Sequence, residues 1–146
     1  MTTPSLKIAG IELSIISWLD FDQSIEPIAG STVRRMASGA AFKLTHYRKH
    51  RISLSASGWL PAPLNAINYD APFVIELPIP EAFRIGESLP AGWSSRSAPW
   101  AEYTTTDQHG ASVRMVYPKM TVISDGPRKS NGNAANPSWE LVCEVI

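Results

Sequence analysis

The sequence predicts a mainly β protein: an antiparallel β-sandwich or barrel-like domain with a long irregular loop and at most one or two short helical turns. Apolar and polar residues alternate strictly through its most regular segments, as half-buried antiparallel strands require. Twelve prolines and nine glycines interrupt the chain too often for long helices. At 146 residues the chain reads as one β-rich domain, residues 1–146, large enough to bury a core without disulfides or metal.

The first element is Leu6-Lys7-Ile8, Ala9-Gly10, Ile11-Glu12-Leu13, a short hairpin or a bulged strand. Ser14 to Asp20 fits a strand or a helical turn equally. Asp20-Phe21-Asp22-Gln23-Ser24 reads as a polar turn or cap, and no Gly-centred calcium loop surrounds its two acids. The central stretch, Gly30 to Trp59, reads as successive strands broken at Ser38-Gly39 and at Arg48-Lys49. Thr32 to Ala37 is its first strand. Phe42, Leu44 and His46 then share one face against Lys43, Thr45 and Tyr47, and Ile52, Leu54 and Ala56 share the next. On this reading Phe42, Leu44, Ile52 and Leu54 are scaffold.

Prolines at 61 and 63 end the strand pattern. Leu64 to Ile67 fits one helical turn, with Trp59, Leu60, Leu64 and Ile67 plugging one end of the sandwich. Phe73 to Leu77 is a further strand, confined to an edge at its end by Pro78 and Pro80. Residues from about 80 to 110 show no clear period, which makes them an irregular loop or an arm ordered against a neighbour. Trp93 and Trp100 within it either contact a partner or cover the domain's own core. Val113–Tyr117 and Met120–Ile123 form a strand pair or one strand bent at Pro118. Ser124 to Pro137 is turn-rich. Trp139 to Val145 closes the chain as a strand with Trp139, Leu141, Cys143 and Val145 on one face.

Charge is low and unevenly placed. Charged residues are 18% of the chain and the formal net charge is zero, so nothing global recommends nucleic acid or an anionic membrane. Between Glu26 and Asp70 there is no acid, yet Arg34, Arg35, Lys43, Arg48, Lys49 and Arg51 fall there. Two complementary faces on one subunit suit head-to-tail or ring packing; a cationic edge that resists unwanted strand pairing would look the same. These six cations, with Trp93 and Trp100, are the candidate subunit interface.

No catalytic, cofactor-binding or metal-ligating residue is assigned, and the chain is not expected to be an enzyme. His46 and His50 have helical ligand spacing but sit in strand and turn, without an acid beside them. One cysteine, Cys143, reads as a small buried hydrophobe. There is no GxSxG elbow, Walker loop or GxGxxG, and Glu81 and Glu102 have no supporting motif for glycoside hydrolysis. Phe42 and Tyr47 among cations could stack on single strands, but the neutral chain and absent RNP motif weigh against nucleic acid. The N-terminus lacks signal-peptide character and no apolar run nears the ~20 residues that span a bilayer, so a cytoplasmic site of synthesis is expected.

Glu26-Pro27-Ile28-Ala29-Gly30-Ser31-Thr32-Val33-Arg34-Arg35-Met36, the turn Ser38-Gly39-Ala40-Ala41-Phe42-Lys43, and Ser57-Gly58-Trp59-Leu60-Pro61 together resemble small structural proteins of long-tailed bacteriophages and prophages. In these a GGST-x-x-RM-x-x-G segment leads through a basic strand to SGxGW-x-P. Tyr117-Pro118-Lys119-Met120-Thr121-Val122 and Ser138-Trp139-Glu140-Leu141 resemble the closing part. The likeness covers about two thirds of the chain and omits residues 80–110. Ala29 stands for the first glycine of the doublet, and Ala56-Ser57 departs from a Gly-containing pair. The resemblance implies a distal-tail-like β-sandwich in the virion tail, a homo-oligomeric ring, six-fold or three-fold, between tail tube and baseplate hub, assembled in the host cytoplasm. The alternative is a soluble β-barrel binding module for nucleic acid or a host protein.

Overall fold

Ala9 and Gly10 both take positive φ, 51° and 83°, and so form the tight two-residue turn that matches the twist of an antiparallel pair. They join β1 (Leu6–Ile8) to β2 (Ile11–Leu13), so the opening segment is a hairpin. The computed structural model of the chain describes residues 4–14, 19–130 and 137–146. Most of the open Ser14–Asp20 question lies outside these.

The remaining strands are β3 (Leu19–Arg35), β4 (Ala41–Ser57), β5 (Phe73–Glu76), β6 (Glu81–Arg84), β7 (Trp93–Ser95), β8 (Tyr103–Thr106), β9 (Ser112–Val116), β10 (Pro118–Ser130) and β11 (Ser138–Val145), with one 3₁₀ turn at Ala62–Ala66. Among the described residues, eight strands form one antiparallel sheet in the order β2-β1-β5-β10-β11-β4-β3, with β7 also on β10, and β6-β9-β8 form a second, three-stranded sheet. The architecture is the mainly antiparallel, sandwich-like one that the alternation predicts. The large sheet ends at β2 and β3 and does not close into a barrel.

The core lies on one face of the large sheet. Leu6 and Ile8, Ile52 and Leu54, Ile75, Val122 and Leu141 are fully buried, joined by Trp139, Cys143 and Val145 of β11. Leu64 and Ile67 close one end as expected, with Leu60 packed beside them. Trp59 does not join them. It is 64% exposed, because Gly58, at φ +112°, turns the chain away as β4 ends.

Three further expectations change. Asp20–Ser24 is no polar turn but the start of β3, where Leu19 pairs with Ser57 and Asp22 with Ser55. The extra residue makes a bulge, and Asp20 takes φ +54° within it. Ser124–Ser130 is strand rather than loop: after a bulge at Asp125-Gly126, Pro127 to Ser130 pair with Leu141 to Ser138. Residues 131–136 of that predicted loop lie outside the described part. Finally, Val113–Tyr117 and Met120–Ile123 belong to different sheets, and the chain crosses between them at Tyr117-Pro118. Pro118 opens β10, a position where its missing N–H costs no ladder bond.

The stretch from 80 to 110 carries three short strands and is tied to the body by a buried arginine. Arg96 donates from Nη1 to the carbonyls of Ser5 (2.8 Å) and Leu77 (3.1 Å). Its Nε lies 3.7 Å from Glu76, which also faces Lys7. Burial lowers its pKa, and Glu76 opposes that. Arg96→Met should therefore lower stability by about 3 kcal/mol in urea unfolding, since two carbonyls and a carboxylate lose a charged donor. Cys143 is fully buried and desolvation pushes its thiol up to about 12. It should resist a thiol reagent at pH 8 in the native protein and react stoichiometrically once unfolded; native labelling at the free-thiol rate would contradict this burial.

Candidate functional site

β3 and β4 are each 17 residues long, about twice the length of the neighbouring β11 (8 residues). They pair with one another from Leu19↔Ser57 to Arg35↔Ala41. β4 is paired on its other edge, to β11, only from Arg51↔Glu144 to Ser57↔Ser138. Beyond Arg51 the two strands continue alone as a hairpin arm. Every residue from 31 to 48 is exposed.

This corrects two expectations. There is no break at Arg48-Lys49: β4 runs straight through it, and the chain reverses only at Ser38-Gly39, with Gly39 at φ +86°. Phe42 and Leu44 are not scaffold. They are 38% and 43% exposed, whereas Ile52 and Leu54 of the same strand are fully buried.

A one-residue insertion explains why the alternation misleads. Gly30 pairs with Tyr47 but Ser31 pairs with Thr45, which leaves His46 as an extra residue in β4. Side-chain facing alternates with period two, so one insertion reverses it. Phe42 and Leu44 therefore share a face with Tyr47, Lys49 and Arg51 and not with Ile52 and Leu54. The ring of Tyr47 lies across Gly30, where any Cβ would overlap it. Only glycine lets the aromatic ring lie flat across its partner strand here.

The base of the arm is fastened at several points. Arg51 reaches Glu144 at 2.9 Å and Glu26 at 3.2 Å, a row across three adjacent strands. Its hydrogen bonds to Glu144 and then Glu26 raise its pKa above the ordinary arginine value. The Gln23 side chain donates to Ile79 O (3.0 Å) and accepts from Ile79 N (3.3 Å). His50 meets Trp93 edge-on at 5.2 Å between centroids, and Trp93 meets Phe83 at 5.9 Å. Burial lowers the His50 pKa. Lys49 donates to the Ile146 carbonyl at 3.1 Å.

The candidate interface residues consequently separate. Arg34, Lys43 and Arg48 stand on the arm and form no ion pair with any described residue. Arg35 spans the tip, donating to Gly39 O at 3.2 Å. Lys49 and Arg51 serve the base. Trp93 is half-buried against the core, and Trp100 is half-buried beside Tyr117 at 6.0 Å. Sequence reasoning missed Val33, Met36 and Trp59, all largely exposed, and misplaced Phe42 and Leu44. The overlooked signal was local: an acid-free hairpin with an apolar residue on both of its faces.

Among the described residues no group of three His, Cys, Asp or Glu is arranged to hold a metal ion. No described helix is long and apolar enough to cross a membrane. No protein-family model matches the chain, and a search of curated proteins finds no match.

The arm and the body make opposite mutational predictions along a single strand. Ile52→Ala or Leu54→Ala should cost about 2–5 kcal/mol. Phe42→Ser or Leu44→Ser in the dilute protein should stay within about 0.5 kcal/mol of the parent. Thermal unfolding of the four variants checks this; comparable losses in both pairs would mean that the arm is packed.

Proposed function

We propose that this chain is a self-assembling structural subunit of a bacteriophage or prophage virion: a distal-tail-like component whose ring links tail tube and baseplate hub. The observation that carries the reading is the arm. A two-stranded ribbon is marginal alone, yet this one exposes Val33, Met36, Phe42, Leu44 and Tyr47 together. Full burial of such a side chain is worth about 1.5–3 kcal/mol, so an arm seated on a neighbour gains what the isolated subunit lacks. Of the segments that resemble phage structural proteins, the first ones fall on the arm and at Trp59 where β4 ends, and the closing ones fall on β10 and β11 of the body. The few surface charges and the partition of cations onto one projection suit repeated contacts between copies.

Replacing Thr32–Leu44 by an Asn-Gly turn removes the outer part of the arm, with Val33, Arg34, Met36, Phe42, Lys43 and Leu44, and keeps the Ser31↔Thr45 pair. The shortened chain should fold, by circular dichroism, and sediment as a monomer. The full chain should form closed rings by electron microscopy, and images of the intact particle should place them at the tail tip. A full chain that stays monomeric at high concentration and is missing from particles would overturn the proposal.

One observation favours a second reading. A two-stranded β-ribbon has the width that a DNA major groove admits, and Arg34, Lys43 and Arg48 lack carboxylate partners among the described residues. A nucleic-acid-binding module should then be retained on duplex DNA and lose roughly 10²-fold or more in affinity as salt rises. No retention at low salt would dispose of it.

A further inference from the structure

The solvent face of β10 and β11 carries a groove that the fold itself does not use. It has a volume of ≈ 720 Å³ and opens where Asp125-Gly126 bulge out of β10. Its floor is apolar: Ile123 and Val142 are 45% and 37% exposed, and Tyr69 closes one side. Its rim is acidic. Asp70, Asp125 and Glu140 line it and form no ion pair with any described residue, and Glu144 joins them while bound to Arg51. A single cation, Arg128, stands across from Glu140 in the register.

Resting on the self-assembly reading, we infer that this groove receives the arm of a second copy of the chain. The two surfaces are complementary in kind. The arm offers Phe42, Leu44 and Tyr47 on one face, where Arg34 is paired to Phe42, and Lys43 and Arg48 on its opposite face; the groove offers an apolar floor beside Asp70, Asp125 and Glu140. Such pairing steers encounter and fixes register.

The chain's own arm cannot serve. β4 follows β11 only as far as Arg51↔Glu144, and the arm then runs on for about 30 Å at strand rise, leaving its own groove behind. Folding it back would break the fastenings at Gln23, His50 and Arg51. Arm and groove are separate surfaces of one subunit, so the contact can repeat from copy to copy until a ring closes.

Two charge-reversed variants test this. One carries Arg34→Glu, Lys43→Glu and Arg48→Glu; the other carries Asp125→Lys and Glu140→Lys. Arg34, Lys43, Arg48 and Asp125 are exposed and Glu140 is half-buried, and circular dichroism should show both variants folded. Each alone should need roughly 10- to 100-fold more protein to assemble in sedimentation velocity. Their equimolar mixture should regain assembly, each copy offering the patch its neighbour needs. A groove variant that assembles as the parent does, while the arm variant fails, overturns the groove assignment and leaves self-assembly standing. Loss in both without recovery in the mixture overturns the pairing of these two surfaces. A parent that never assembles, with an arm variant that loses only retention on duplex DNA, overturns self-assembly itself in favour of nucleic acid.

Discussion

The structure turns on how far β4 is flanked. Between Arg51 and Ser57 it has β11 on one edge and β3 on the other, and there its apolar side chains reach the core. Past Arg51 the sheet offers no further neighbour. A central strand thereby becomes one half of a free ribbon while staying extended, and burial stops within a few residues. The Glu26–Arg51–Glu144 row marks this boundary.

Long ribbons bend and fray unless something fixes where they leave the body. Here the fixing groups differ in chemistry and come from different parts of the chain: an amide clamp from Gln23 to Ile79, an aromatic edge contact from His50 to Trp93, and ion pairs at Arg51. Arg96 steadies the far side, holding the segment that bears Trp93 against β1 and β5 through carbonyls and Glu76. These contacts tie residues 93–96, within the irregular stretch from 80 to 110, to the body. They also separate two roles that the candidate cations first seemed to share, since Arg51 and Lys49 are used within the subunit and Arg34, Lys43 and Arg48 are not.

Much of the body was legible in the sequence. β11 alternates without interruption, so Trp139, Leu141, Cys143 and Val145 could be assigned to the core directly. Pro61 and Pro63 announced the helical turn that buries Leu64. The errors share a physical origin. Alternation reports which residues share a face, but not whether anything covers that face, and one bulged residue at His46 reverses it unseen. Phe42 and Leu44 obey the period and still lie in solvent. The groove was less accessible to sequence reasoning, because Asp70, Ile123, Asp125 and Glu140 come together only through the pairing of β10 with β11 and the bulge between Ser124 and Pro127. Short strands inside residues 80–110 escaped notice for another reason: three or four residues are too few to establish a period.

The chain keeps a well-buried body and carries its exposed apolar surface on the arm, so that folding and the proposed association would depend on different residues. Amide hydrogen exchange separates the two most directly, measured on dilute and on assembled protein. Outward-facing amides between Ser31 and Tyr47 should exchange fast in the dilute subunit and slow by roughly tenfold or more on assembly, while those from Ile52 to Ala56 stay protected throughout. An arm equally protected at every concentration, or equally unprotected within the assembled particle, would contradict the account.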